Sequence, residues 1–161
     1  MLKISDFFFN FWLRFVYPYK EDISLDIYDF HAFEKEFSRY MGIVFEDICI
    51  DALTALMKNN KIPLKFSKIG KWWFKNIEID IIALNPKLKT IIYGECKWKD
   101  NVNPKEVYNV LFKKKESVHV PWVPKKEYFV ILAKSFSYKM KTNDVLTIDL
   151  KDLERMLFSK S

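Results

Sequence analysis

A chain of 161 residues, half of them hydrophobic, is long enough to bury one sizeable core and too short for two. The charge is unevenly divided, because residues 1–60 carry a net charge of −4 and residues 61–161 a net charge of +10. The chain has only three glycines and lacks the glycine-rich phosphate loop of ATP-hydrolysing proteins. The sequence therefore excludes ATP hydrolysis by this chain and predicts one compact domain that is basic over its C-terminal two thirds.

The N-terminal segment is aromatic, with seven Phe, Trp or Tyr residues between positions 7 and 17. It is too short to cross a membrane, which takes about 20 apolar residues, and it lacks the features of a secretory signal. We therefore expect a cytoplasmic protein without membrane association. Residues 1–29 are predicted to form a helical or extended aromatic arm that packs on a core domain of residues 30–161. A docking surface for an ATPase or a second copy is the alternative.

Two apolar stripes at helical spacing follow the arm. They predict a helix over residues 30–40, a break at Gly42 and a second helix to about residue 58. Glu46 lies at the edge of the second stripe, where its carboxylate can face a neighbouring sheet. Taken alone, Glu46 is more typical of an exposed helix residue. Residues 63–74 are then predicted to form a strand, with Gly70 permitting a bend.

A hairpin is predicted next, with strands over residues 77–84 and 90–97 joined by the turn formers Asn85 and Pro86. Strict alternation places Ile79 and Ile81 on one face and Asp80 on the other. Asp80 can then lie across the strand pair from Glu95.

Lys97 ends this hairpin and shares a strand face with Glu95. Cys96 points to the opposite face, and both Cys96 and Cys49 are predicted to be small core residues. Asn103 and Pro104 begin another helix, followed by a buried strand at residues 128–133, a strand at 146–150 and a terminal helix at 150–158.

Two carboxylates and a lysine side by side favour a metal site, because like charges repel and a bound cation relieves that repulsion. Carboxylate oxygens suit Mg²⁺ or Mn²⁺, which lower the pKa of a bound water and neutralise charge on a reacting phosphate. Lys97 would stabilise the same developing charge. The alternative is a solvated strand face with an ordinary Glu/Lys pair, and the spacing alone leaves both interpretations open.

Several short motifs, taken together and in order, resemble those of a known family. They are residues 9–18 (FNFWLRFVYP), 42–46 (GIVFE), 70–73 (GKWW), 78–84 (EIDIIAL) and 94–98 (GECKW). This set resembles the C-terminal nuclease-like domain of archaeal AAA-type ATPases, a member of the PD-(D/E)xK nuclease superfamily. The resemblance implies a restriction-endonuclease-like α/β fold, a mixed β-sheet flanked by helices with an αβββαβ core and an N-terminal helical or aromatic extension. Ile79 stands where the superfamily pattern has its proline.

The same resemblance implies roles for individual residues. Glu46, Asp80 and Glu95 would be metal ligands for Mg²⁺ or Mn²⁺, and Lys97 the catalytic lysine. The expected activity is metal-dependent hydrolysis of DNA phosphodiester bonds, structure-selective or nonspecific because arginine, the usual reader of guanine, is scarce. Candidate nucleic-acid contacts are Lys71, Trp72, Lys99, Lys113 and Lys114.

Two other functions remain open from the sequence. One is a non-catalytic DNA-binding or regulatory module that acts with an AAA-type ATPase, either as a partner or as a missing domain. The other is a nuclease directed at RNA, since the same metal chemistry cleaves RNA. Cutting both strands of a duplex calls for two active sites, which favours a homodimer.

Overall fold

The computed structural model describes residues 6–140 and 142–158. Contacts divide the chain into two units, one up to Val44 and one from Phe45 onward. This division lies inside a single helix, whereas the sequence places the boundary after residue 29, where that helix is about to begin. Within the described residues, no helix is both long enough and apolar enough to cross a membrane.

The first unit is built from short helical segments and the beginning of a long helix. Its elements are α1 (Phe7–Phe11), a π-helical turn (Trp12–Val16), a 3₁₀ turn (Tyr17–Tyr19), α2 (Lys20–Ser24) and the first part of α3 (Phe30–Lys58). Asp6 caps α1 by accepting a hydrogen bond from the backbone N–H of Phe9. Asp29 caps α3 in the same way for His31 and Ala32.

An aromatic cluster forms the interior of the first unit. Phe15 is 4% exposed, and four rings surround it at centroid distances of 5.5 to 6.0 Å, those of Phe11, Phe33, Phe37 and Tyr40. Edge-to-face packing of this kind adds to the free energy of burial. The aromatic richness of the N-terminal segment is therefore used in part to build this small core.

Helix α3 runs without interruption from Phe30 to Lys58, so the predicted break at Gly42 is wrong. A glycine inside a helix costs only about 1 kcal/mol relative to alanine. The following turns bury Phe45, Leu53 and Leu56 almost completely, which stabilises the helix by more than the glycine destabilises it.

The second unit contains a five-stranded sheet in the order β1-β2-β3-β4-β5. Its strands are β1 (Lys68–Phe74), β2 (Ile77–Asn85), β3 (Thr90–Lys97), β4 (Lys126–Ala133) and β5 (Val145–Asp149), with α4 (Pro104–Lys114) between β3 and β4 and α5 (Leu150–Phe158) after β5. β1, β2 and β3 pair antiparallel, and β3, β4 and β5 pair parallel. The predicted mixed sheet with helices is confirmed.

The predicted strand over residues 63–74 is wrong in its first part, because β1 begins only at Lys68. Ile62, Leu64 and Phe66 are buried and alternate with exposed residues, which imitates a strand pattern. Pro63 supplies no backbone N–H, and this segment packs by its side chains without joining the sheet.

Each face of the sheet has its own core. One cluster joins Phe45 and Leu53 of α3 and Leu153 of α5 to Ile81 and Cys96 of the sheet. We call this the α3 face, and the other, where Leu111 of α4 packs on Tyr93 and Phe129, the α4 face. Cys49 and Cys96 are both buried on the α3 face, as the sequence predicts.

A β-bulge interrupts the pairing of β1 with β2. Gly70 pairs with Ile82 and Trp72 with Ile79, so β2 has one residue more than β1 between these pairs. Ile79 consequently packs on the α4 face while Ile81 packs on the α3 face. The prediction that Ile79 and Ile81 share a face is therefore wrong, because an extra residue shifts the side-chain alternation.

Candidate functional site

The candidate site lies where β2 and β3 stop pairing. Their ladder ends at the pair of Ile81 with Gly94. A side chain at position 94 would place its Cβ 2.8 Å from the Cβ of Ile81, so the two strands approach as closely as only glycine allows. Asp80 and Glu95 are the next residues on their strands. Two acidic residues thus stand at the point where the strands separate, at the C-terminal end of β3.

Asp80 is a partly buried carboxylate whose direct hydrogen-bond donor is the main chain. Its Oδ2 accepts a hydrogen bond of 2.8 Å from the backbone N–H of Cys96. Burial, and then the charges of Glu95 and Glu46, raise the pKa of Asp80 to about 6, against the opposing effects of that hydrogen bond and of Lys97. Asp80 therefore lies within electrostatic range of all the other residues predicted for the site.

Glu95 is the most buried acidic residue of the site, with 5% of its surface exposed. Lys97 Nζ donates to its Oε1 at 2.7 Å, and Lys114 Nζ donates to both oxygens at 3.0 and 2.9 Å. Burial lowers the pKa of Lys97, but the hydrogen bond to Glu95 and the charges of Glu95 and Asp80 raise it overall. The buried carboxylate is stabilised by two ammonium groups from different elements.

Glu46 reaches the site from α3 and is also held by a lysine. Lys71 Nζ lies 2.8 Å from Glu46 Oε2 and 3.0 Å from Asp47 Oδ1. Burial lowers the pKa of Lys71, but the hydrogen bonds to these two carboxylates raise it overall. Lys71 thereby links the edge strand β1 to helix α3, which carries Glu46.

The four residues predicted as catalytic are thus brought into one region of the second unit, yet each carboxylate has its own hydrogen-bond donor. Asp80 is held by a backbone amide, Glu95 by two lysines and Glu46 by one. In the described part of the chain, no set of three Asp, Glu, His or Cys side chains is close enough to hold a metal ion. In the site as it stands, Glu46 and Glu95 are therefore paired with lysines.

The predicted nucleic-acid contacts differ in exposure. Trp72 is half-buried and packs against the α4-face cluster, whereas its neighbour Trp73 is 73% exposed. Lys99 and Lys113 are exposed, and Lys71 and Lys114 are engaged with Glu46 and Glu95. The tryptophan that presents its ring to solvent is therefore Trp73.

The role of Lys114 as a partner of Glu95 was not foreseen from the sequence. Val107, Leu111 and Lys114 follow one another at spacings of four and three residues, so they share one side of α4. Leu111 is completely buried against the sheet. A lysine that continues such a stripe faces the sheet, and this spacing is the signal that could have identified it.

A comparison with known families places this chain. The sequence model of the family DUF234, described as "Archaea bacterial proteins of unknown function", matches residues 12–116. The chain belongs to the DUF234 family. The matched segment contains all four residues of the candidate site and ends just after α4.

DUF234 membership agrees with a similarity to a longer archaeal protein. "Uncharacterized protein MJECL04" of Methanocaldococcus jannaschii is 36% identical over 151 residues, which cover 92% of this chain and 34% of that protein. The chain therefore spans about a third of the length of this curated relative. No solved structure matches the chain.

Proposed function

We propose that this DUF234 chain is a metal-dependent nuclease that hydrolyses DNA phosphodiester bonds. The observation that carries the proposal is the grouping of Glu46, Asp80, Glu95 and Lys97 around the point where β2 and β3 separate. Structural ion pairs alone do not require two acidic residues to stand side by side, since their repulsion raises the free energy of the folded state. We further propose that the mixed sheet is of the restriction-endonuclease-like type, as the PD-(D/E)xK signature implies.

The side chains present fit a hard divalent cation by their chemistry. Glu46, Asp80 and Glu95 offer carboxylate oxygens, which are the ligands that Mg²⁺ and Mn²⁺ prefer. The raised pKa of Asp80 supports this, because its ionised form is disfavoured by burial and by neighbouring charge that a cation would offset. Binding would require Lys71 and Lys114 to release the carboxylates that they now hold.

In this mechanism the residues of the chain position and stabilise charge. Lys97 carries its positive charge at the reacting phosphate, and Glu95 orients the Lys97 side chain through their 2.7 Å hydrogen bond. Asp80 is held in place by the N–H of Cys96. A bound Mg²⁺ would lower the pKa of an attacking water and neutralise charge on the phosphate.

DNA is the proposed substrate because the second unit is basic. From residue 45 onward the chain carries 22 Lys and Arg against 14 Asp and Glu. Lysines that neutralise backbone phosphates release counterions and give a salt-dependent affinity that does not depend on base sequence. The chain has 24 lysines and three arginines, which supports backbone binding in preference to base reading.

The test is cleavage by the purified chain of duplex, single-stranded and branched DNA, with the same structures in RNA, in the presence of Mg²⁺. Asp80→Ala and Lys97→Ala are expected to lose about 10²- to 10³-fold in rate. Lys151→Ala, which removes an exposed lysine of α5, serves as the matched control and should cleave like the unaltered chain. Absence of cleavage on every substrate, together with no heat of Mg²⁺ binding in calorimetry, would refute the proposal. Cleavage confined to RNA would reassign the substrate.

A second candidate is a non-catalytic DNA-binding or regulatory module that acts with an AAA-type ATPase. The observation that favours it is the pairing of Glu46 and Glu95 with Lys71 and Lys114, which satisfies these carboxylates without a metal. DNA binding that is unchanged by Mg²⁺ and by Asp80→Asn, without any cleavage, would select this alternative.

A further inference from the structure

The hairpin of β1 and β2 projects past the candidate site. β2 pairs with β3 only from Ile81 onward, whereas β1 continues to pair with the earlier part of β2 as far as Phe74 with Ile77. A two-residue turn, Lys75 and Asn76, closes the hairpin, with Lys75 in the left-handed region at a φ of 52°. The hairpin tip therefore lies at the same edge of the sheet as Asp80 and beyond it.

The hairpin tip exposes two aromatic side chains. Trp73 is 73% exposed and Phe74 is 49% exposed, while Trp72 packs against the α4-face cluster. The Nζ of Lys75 lies 5.3 Å from the centroid of the Phe74 ring. Proteins that bind single-stranded nucleic acids stack bases on exposed aromatic rings and attract the backbone with cationic side chains, and the hairpin tip offers both kinds of group.

Trp73 lies on the same side of β1 as Lys71, the lysine that holds Glu46. Because Trp72 points to the α4 face, its neighbours Trp73 and Lys71 point to the opposite face, where Lys71 reaches Glu46. Trp73 pairs with Glu78, which is two residues before Asp80. At about 3.3 Å per residue this is roughly 7 Å along the strand, near enough for one nucleic-acid strand to reach both positions.

We propose that Trp73 stacks on an unpaired base and thereby selects DNA with single-stranded segments next to the cleaved bond. This inference rests on the proposed nuclease function and names its substrate class. Bases inside a duplex are stacked on each other and leave no π-face free, whereas an unpaired base offers one. Stacking on an aromatic side chain is worth about 1 to 3 kcal/mol per base and is indifferent to sequence. Lys75, in the turn that closes the hairpin, supplies charge of the sign that a phosphate backbone requires.

The experiment measures the affinity of the full chain for an oligothymidylate and for a blunt duplex of equal length, without divalent metal so that no cleavage occurs. Trp73→Ala is expected to weaken binding of the single strand by about 5- to 150-fold and to leave duplex binding unchanged. Trp73→Phe should restore most of the loss. Phe158→Ala, which removes a 78% exposed ring from α5, is the matched control and should bind like the unaltered chain.

Three results would overturn the inference. One is single-strand binding that is absent in the unaltered chain or unaffected by Trp73→Ala. Another is an equal loss on single strand and duplex. The third is a change of oligomeric state in light scattering without a change in DNA affinity, which would identify the tip as a contact between copies.

The outcome separates stacking from catalysis. If Mg²⁺-dependent cleavage persists in Trp73→Ala with unchanged preference for single-stranded segments, the stacking role fails and the nuclease stands. If no variant cleaves but Trp73→Ala still loses single-strand affinity, the nuclease fails and stacking stands as a binding function.

Discussion

Asp80→Asn tests whether the ionised carboxylate of Asp80 destabilises the folded chain. The substitution keeps the size of the side chain and an oxygen that can accept the N–H of Cys96, and it removes only the charge. The pKa of Asp80 lies at about 6 in the folded chain against a usual value of 3.8. At about 1.4 kcal/mol per pKa unit, this difference corresponds to a destabilisation of about 3 kcal/mol when Asp80 is ionised.

The direction of the pH dependence of stability follows from the raised pKa of Asp80. The folded chain binds the proton more tightly than the unfolded chain, so the unaltered chain loses stability as the pH rises from about 4 to about 6 and gains none back above it. The asparagine variant has no such titration. Asp80→Asn should therefore be more stable by up to about 3 kcal/mol at pH 7 to 8, and this advantage should disappear below about pH 4.

Urea unfolding at intervals between pH 4 and pH 8, followed by circular dichroism, measures the difference in unfolding free energy. Asp51→Asn, at an exposed position of α3, is the control for removal of a charge elsewhere. Under the metal proposal, adding Mg²⁺ should stabilise the unaltered chain and leave the Asp80→Asn variant nearly unchanged. An Asp80→Asn variant that is less stable at pH 8, or a difference that stays constant from pH 4 to pH 8, would refute the reasoning.

The remaining predictions concern packing and the second carboxylate. Gly94→Ala should lower the free energy of unfolding in urea by about 1 to 3 kcal/mol, because the new Cβ would lie 2.8 Å from the Cβ of Ile81. Gly42→Ala in helix α3 has nothing within 4 Å of the new Cβ and should raise the free energy of unfolding by about 0.5 to 1 kcal/mol. Equal effects of the two substitutions would contradict the close approach of β2 and β3. Phe15→Ala should destabilise the first unit by about 3 to 5 kcal/mol, because it removes the buried ring at the centre of the aromatic cluster. Amide hydrogen exchange over residues 7–44 should become faster. Unchanged protection from exchange would argue against the aromatic core. Glu95→Gln should lower the unfolding free energy by about 1 to 3 kcal/mol, since two lysines lose their anionic partner, and a gain in stability would show that its burial outweighs these ion pairs.

Local signals in the sequence determine much of the second unit. Strand alternation and the turn at Asn85 predict the β2–β3 hairpin, and the structure confirms both strands to within a residue. Asn103 before Pro104 predicts the start of α4, and Asn103 caps it by accepting the N–H of Lys105. The turn also sets the register of the two strands, whose last pair, Ile81 with Gly94, stands next to Asp80 and Glu95. These features depend on residues that are neighbours in the chain, so the sequence carries them directly.

The partners of the site residues depend on tertiary structure. Lys114 is 19 residues from Glu95 and Lys71 is 25 residues from Glu46, and no local pattern links such pairs. The bulge that separates Ile79 from Ile81 arises from the pairing of β2 with β1.

The sequence by itself thus determined the hairpin that carries Asp80, Glu95 and Lys97, because strands and tight turns depend on residues that are neighbours in the chain. Only the tertiary structure decided which lysines neutralise the carboxylates and that Trp73, not Trp72, is open to solvent. Burial and ion pairing depend on which elements pack together, and that depends on contacts between residues far apart in the chain.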